Sequence, residues 1–172
     1  MRIYLDATTV IALGTVGELS LLHSFDGRLV VLPAVRNEVT TEPAKTNLDR
    51  FLDAEDVESD VPLEDVDVER AMDVLGESAV NGDVLLIAAV LAHRDRDQPV
   101  GVVSDDRRVR TVARGFGGTV TGTIGVIVRA VEDGLDEAEA KRLVRRIDRS
   151  GLHMTAALRE RAAELIEHAA RD

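Results

Sequence analysis

The chain has 172 residues, of which 45% are hydrophobic and 31% charged, which suits one globular domain and argues against a disordered protein. Its longest apolar run, Val84 to Ala92, is far shorter than the roughly 20 residues of a membrane span. Asp6 stands where a signal peptide would keep its apolar segment. We therefore expect a single soluble, cytoplasmic domain over residues 1–172 that has no membrane partner.

The charge and the missing cysteines restrict the chemistry further. Without cysteine there is no disulfide framework, thiol nucleophile or thiolate zinc site, and the four histidines are scattered. Any metal would be a hard cation held by oxygen, meaning Mg²⁺ or Mn²⁺. The net charge is −11, with nearly all positive charge on arginine. This balance favours a halophilic source, an acidic protein from a GC-rich genome being the alternative.

The amino-terminal half alternates apolar runs with helical patterns. In chain order the sequence predicts a strand at 2–5 and then a helical stretch, interrupted by glycines, that is capped at Thr8-Thr9 and runs on to Leu22. A strand at Leu29 to Leu32 and a helix from Pro33 through Val39 follow. Residues 43–80 form a polar middle, with a weak strand candidate near Val57–Val61 and a short helix that ends at Gly76.

The carboxy-terminal half continues the alternation. It reads as a buried helix opened by Asn81-Gly82-Asp83, a strand at Val100 to Val103, an arginine-bearing helix up to Gly115, a strand at Thr119 to Thr121, a helix after Gly122, and amphipathic helices at about 136–149 and 155–170. Continuous apolar strands between helices predict an α/β three-layer sandwich with a central, mainly parallel sheet. Residues 136–172 are then a helical C-terminal extension of that domain.

Four acids fall where such a sheet would gather them. Asp6 ends the first strand and Asp106 follows the Val100 to Val103 strand, while Glu38 and Asp83 lie near the starts of following helices. Ligands of open α/β sheets bind at the carboxyl ends of the strands. Each acid alone has a simpler explanation as a helix cap or a solvated side chain. Four converging carboxylates repel one another unless a cation neutralises them, so the positions together indicate a metal site.

These segments resemble the motifs of a known family, the PIN-domain nucleases. In order, the resembling segments are Asp6-Ala7-Thr8, Pro33 to Val39, Gly82-Asp83, and Val102 to Arg107. Each is weak alone, and the order and spacing of all four carry the resemblance. The segment Gly118 to Gly125 and the arginine-bearing helix before it are similar to a subgroup related to VapC-type toxins. A halophilic archaeon is the source we expect.

The resemblance implies a divalent-metal-dependent ribonuclease, and one expectation from its subgroup is a toxin held in check by a small antitoxin protein. The implied metal ligands are Asp6, Glu38, Asp83 and Asp106, with Asp105 left open as the alternative fourth ligand. The implied supporting hydroxyls are Thr8 and Ser104, and the arginines placed to bind RNA phosphates are Arg107, Arg108 and Arg110. One or two Mg²⁺ or Mn²⁺ ions would activate water for hydrolysis of the phosphodiester bond.

Two alternatives stay open at this point. The domain could be a non-catalytic PIN-like binding or scaffold module, because a protein can keep all four acids and still be inactive. The last helix also carries an apolar face, made of Leu158, Ala162, Leu165, Ile166 and Ala169. That face packs on its own domain in the simpler interpretation, and forms a homodimer contact or an antitoxin groove in the other.

Overall fold

The computed structural model describes residues 1–53, 57–59 and 62–171. Within them, a sheet of five strands has the order β3-β2-β1-β4-β5, and every neighbouring pair is parallel. The strands are β1 (Arg2–Leu5), β2 (Arg28–Val30), β3 (Val57–Glu58), β4 (Val100–Val103) and β5 (Thr119–Thr121). All four residues of β4 are buried, as expected of a strand covered on both faces. The predicted α/β sandwich is confirmed.

The helices cover the sheet. They are α1 (Ala7–Val16), α2 (Pro33–Glu38), α3 (Ala44–Leu52), α4 (Asp65–Leu75), α5 (Gly82–Asp95), α6 (Arg107–Gly115), α7 (Thr123–Glu132), α8 (Glu137–Ser150) and α9 (Ala156–Ala169), with a 3₁₀ helix at Leu19–Ser24. The apolar helix α5 is buried from Leu86 to His93, in agreement with its pattern. Among the described residues, no helix is both long and apolar enough to cross a membrane.

The first helix differs from its prediction at both ends. It begins at Ala7 with Asp6 at the capping position, and Thr8-Thr9 lie inside it rather than capping it. It ends at Val16 because Gly17 adopts a left-handed conformation (φ 77°) that glycine reaches without strain. The predicted helical stretch to Leu22, interrupted by glycines, is thus two elements, because the chain continues after Gly17 as the 3₁₀ helix.

The polar middle contains a helix that the sequence did not predict. Helix α3 buries Ala44, Leu48 and Phe51, and it packs against α1. Its capping position is Pro43, which has no side-chain cap, so the usual start signal is missing. The weak strand candidate is β3, although positions 60–61 of that prediction lie outside the described residues, as does position 172 of the predicted domain.

The two last helices join the hydrophobic core. Helix α8 packs on α1, and α9 packs on α7 and α8. On α9, the side chains of Ala162, Ile166 and Ala169 are buried, whereas Leu158 is 42% exposed. The packing of this face on its own domain accounts for those three residues. The homodimer, the antitoxin and the cytoplasmic location stay predictions.

Candidate active site

The first acid is fixed by two neighbouring parallel strands. Asp6 follows β1 and Ser104 follows β4, and the Asp6 N–H donates to the carbonyl of Val103 at 2.9 Å. Both side chains are buried. The Ser104 hydroxyl donates to Asp6 Oδ2 at 2.6 Å, and the Thr8 hydroxyl donates to the same oxygen at 2.7 Å. The carboxylate of Asp6 is therefore held in one orientation, at the edge of the sheet where ligands bind.

Asp106 is linked to this pair through Ser104. Its backbone N–H donates to the Ser104 hydroxyl at 3.0 Å. Its side chain caps α6, where Oδ1 accepts from the N–H of Val109 at 2.9 Å. The capping bond is the ordinary reason for an aspartate before a helix, and it occupies one carboxylate oxygen. The acid thus has a structural role as well as a place beside Asp6.

Asp83 lies in the first turn of α5, where a negative charge suits the helix dipole. Its side chain is 28% exposed. Burial raises its pKa above the ordinary value, and the negative charges of Asp6 and Asp106 raise it further. An ion pair with Arg108, at 3.5 Å, acts in the opposite direction without reversing the shift. Asp83 is therefore within electrostatic reach of both other acids.

Glu38 reaches the group from the end of α2. Its Oε1 accepts from the N–H of Gly82, at 3.1 Å, at the start of α5. A Cβ at Gly82 would lie 2.5 Å from that oxygen, so the glycine makes room for the carboxylate. The Glu38 side chain is otherwise exposed. The contact places it one residue from Asp83 along the chain.

Asp6, Asp83 and Asp106 influence one another electrostatically, and Glu38 contacts the residue before Asp83, without forming a closed coordination shell. In the part of the chain that the structure describes, no group of three or more acids or histidines is arranged to hold a metal ion. The donor chemistry nevertheless fits a hard cation, because carboxylates are the protein ligands of Mg²⁺, which also keeps several of its waters. Burial first, and then the negative charges of Asp6 and Asp106, keep the pKa of Asp83 raised despite its contact with Arg108.

Comparison with known proteins gives the family. A sequence model of the PIN domain matches residues 2–168, nearly the whole chain. The chain belongs to the PIN-domain family. PIN domains are generally nucleases, so the family supports a nuclease-type enzyme. Comparisons with curated proteins and with solved structures found no match.

Asp105 of this PIN domain is engaged away from the other acids. Its Oδ1 accepts from the N–H of Thr123 at 2.9 Å, and its Oδ2 accepts a short hydrogen bond from the Thr123 hydroxyl. The Thr9 hydroxyl also donates to Oδ2, at 3.4 Å. These contacts tie the loop after β4 to the start of α7 and to α1. The side chain thus satisfies a helix start that has no cap of its own at Gly122.

The three arginines predicted to bind RNA have different surroundings. Arg108 pairs with Glu77 at 2.6 Å and with Asp83 at 3.5 Å, and it also donates to the carbonyl of Leu75. Arg107 is exposed at the start of α6, and Arg110 is half-buried. The sequence therefore placed Arg108 beside the acids but missed Glu77 as its closest partner.

Two other contributors were missed. Thr9 and Thr123 both bind Asp105, and they meet only because α1 and α7 converge on the loop after β4. The sequence carries one usable signal, since Gly122-Thr123 precedes a helix and a helix start needs an acceptor. Nothing in the local pattern assigns that acceptor to a residue 18 positions earlier.

Proposed function

We propose that this PIN-family protein is a divalent-metal-dependent ribonuclease that hydrolyses the phosphodiester bonds of RNA. The observation that supports it best is the fixed carboxylate of Asp6 at the carboxyl ends of β1 and β4. Ser104 and Thr8 donate to it, and Asp83 lies within its electrostatic reach. A buried, oriented carboxylate beside two further acids is suited to binding a cation rather than to packing alone.

In this proposal Asp6, Asp83 and Asp106 hold Mg²⁺ or Mn²⁺, and Glu38 completes the set. A bound ion of this kind lowers the pKa of water and stabilises charge on a phosphate. The two hydroxyls keep Asp6 Oδ2 in place, which leaves Oδ1 to face the site. Glu38 is oriented by the N–H of Gly82, and its exposed position suits a ligand that reaches its metal through water.

Asp106 is the fourth ligand in this proposal, and Asp105 is a positioning residue. The capping bond of Asp106 uses Oδ1. Both oxygens of Asp105 accept hydrogen bonds from Thr123. Turning Asp105 towards a metal would leave the Thr123 N–H without this acceptor, at a cost of about 1–3 kcal/mol for an unsatisfied buried group.

Substrate binding is assigned to the first turns of α6. Arg107 is exposed and free to meet a phosphate, and Arg110 lies one turn further along the helix. Arg108 offsets part of the charge of Asp83 when no metal is bound. A bound cation would replace that contact, and Arg108, still paired with Glu77, would then be available to a phosphate. These local cations oppose the net charge of −11, which disfavours RNA binding at low salt.

The biological setting is proposed from the sequence resemblance alone. A toxin restrained by a small antitoxin fits the VapC-related subgroup, and a halophilic source fits the acidic, arginine-rich composition. A second function, a non-catalytic PIN-like scaffold, is favoured by one observation. The ion pair between Arg108 and Asp83 offsets part of that acid's charge without any metal.

The deciding experiment is cleavage of a mixed RNA pool in molar salt with Mg²⁺, Mn²⁺ or EDTA. Wild type is compared with Asp6→Asn, Asp106→Asn and the control Asp73→Asn, which changes an exposed acid on α4. Metal-dependent cutting that is lost in the first two variants and kept in the control supports the nuclease. No cutting, together with no metal binding by calorimetry, supports the scaffold.

A further inference from the structure

A groove of about 270 Å³ lies beside the candidate active site, between α1 and the end of α8. The helix α1 contributes Thr8, Ile11 and Thr15, and the other wall is formed by Ile147, Ser150 and Leu152. All of these side chains are uncharged. The wall from α8 belongs to the C-terminal helices, which gives that extension a place beside the site.

The groove adjoins the acids through a single side chain. Thr8 lines the groove and also donates to Asp6 Oδ2 at 2.7 Å. Its oxygen accepts from the N–H of Asp105 at 3.3 Å. A molecule seated in the groove would therefore lie within one residue of the carboxylate proposed to hold the metal.

We infer that this groove binds the base of an unpaired nucleoside next to the phosphate that is cut. This inference rests on the proposed ribonuclease function and names the part of the substrate that the site would select. The lining has no arginine or lysine to pair with a phosphate, and its mainly aliphatic surface suits the neutral base better than the charged backbone. RNA-binding proteins read unpaired bases by packing apolar or aromatic side chains on their faces.

The dimensions and the hydroxyls favour a base over a larger ligand. The volume is below the roughly 300 Å³ at which pockets for drug-sized molecules begin. Ile11 and Leu152, which are partly exposed, supply aliphatic surface for the faces of the base. Thr15 and Ser150 supply the edge contacts, because a hydroxyl both donates and accepts. The Ser150 hydroxyl donates to the carbonyl of Arg146, which leaves its oxygen to accept from an exocyclic amino group.

The test uses two variants that replace an edge hydroxyl by aliphatic bulk, Thr15→Leu and Ser150→Leu. Ser150 is exposed, so its variant leaves the core untouched. The control is Ser20→Leu at an exposed position of the 3₁₀ helix, which adds the same apolar side chain outside the groove lining. The readouts are KM, kcat, and the base found next to the cleavage points of an RNA pool. A second readout is the binding of a labelled short single-stranded RNA in EDTA.

We expect both groove variants to raise KM about tenfold, as for the loss of one base contact, with kcat nearly kept and the base preference flattened. Ser20→Leu should match wild type. Unchanged KM and preference in both variants would overturn the groove while leaving the nuclease intact. If wild type does not cleave, the proposed function fails, and RNA binding decides the groove. The groove is supported if both groove variants bind the RNA more weakly than wild type while Ser20→Leu does not. It is overturned if all the proteins bind equally or if wild type does not bind.

Discussion

Two carboxylates at different places on the sheet, Glu58 and Asp83, have pKa shifts in opposite directions. On β3, Glu58 has an arginine on each oxygen: Arg2 at 2.9 Å and Arg28 at 3.2 Å. Burial raises its pKa, but the hydrogen bonds from Arg28 and Arg2 outweigh burial and leave the pKa lowered. At the carboxyl ends of the strands, the pKa of Asp83 is raised by burial and by two neighbouring acids.

The difference shows how a structural acid and a candidate functional acid can be told apart. Glu58 is matched by Arg28 on the neighbouring strand β2 and by Arg2 on β1, so its charge is balanced in the folded protein. Asp83 shares a single arginine with Glu77, which holds that arginine at the shorter distance. An under-compensated acid costs stability, and such a cost is typical of sites that bind a cation or a substrate.

The largest effect expected from changing these two acids is on catalysis. We expect Asp83→Asn to lower metal-dependent RNA cleavage by at least about 100-fold, because even outer partners of metal ligands cost 10–100-fold. Glu58→Gln should leave cleavage within about twofold of wild type, since its contacts lie with Arg2 and Arg28. Single-turnover cleavage of one defined RNA with Mn²⁺ gives both values. Equal losses in the two variants would remove the distinction between the regions.

The positions of the acids could be predicted from the sequence, whereas their charge partners could not. Asp6 and Asp106 were predicted at the edge of the sheet because continuous apolar strands end just before them, and that pattern is local. The balance of charge was not predictable, because Glu77 and Arg108 meet only after α4 and α6 pack around α5. The role of Asp105 was left open for the same reason, since Thr123 is brought to it by the fold.

The helices and strands were predicted correctly where the apolar pattern and the residues that start or end an element agree. They were missed where one of these two signals is absent. Strand β4 and helix α5 are uninterrupted apolar runs, so the sequence was enough to predict their burial. Helix α3 has an amphipathic pattern within a polar stretch but no capping side chain at Pro43. The end of α1 depends on the left-handed conformation of Gly17. The apolar pattern does not mark this end, because it continues beyond Gly17.

A second prediction concerns stability in the presence of metal. A ligand that binds only the folded protein stabilises it by about 2.7 kcal/mol at 100 times its Kd. We expect Mg²⁺ or Mn²⁺ to raise the midpoint of thermal unfolding, reversibly with EDTA, in wild type and in Glu58→Gln. The rise should disappear in Asp6→Asn. Scanning calorimetry at fixed ionic strength separates this from general salt effects, and a rise retained in Asp6→Asn would contradict the assignment of that residue.

The neighbouring residues Asp105 and Asp106 give the third prediction. Asp105→Ala should lower the free energy of unfolding by about 1–3 kcal/mol, because the Thr123 N–H loses its acceptor at the start of α7. Metal binding by calorimetry should persist in this variant. Asp106→Asn keeps a side chain that can cap α6, so it should lose metal binding with little loss of stability. The reverse pattern would make Asp105 the ligand.

The smallest expected effect is the pH dependence of stability in EDTA, where the two regions have opposite signs. The native pKa of Asp83 is raised above the ordinary 3.8, so ionisation lowers stability as pH rises from that value. The native pKa of Glu58 is lowered below 4.5, so its contribution is full above 4.5 and is lost as pH falls through the native pKa. At neutral pH, Asp83→Asn should therefore be more stable than wild type. Glu58→Gln should be less stable than wild type by no more than about 1 kcal/mol, because the arginines that pair with Glu58 are exposed. Urea unfolding between about pH 4 and 7 measures both differences. If the two variants shift stability in the same direction across that range, the charge of Asp83 is as well balanced as that of Glu58. The argument for a cation at the carboxyl edge of the sheet would then lose its electrostatic support.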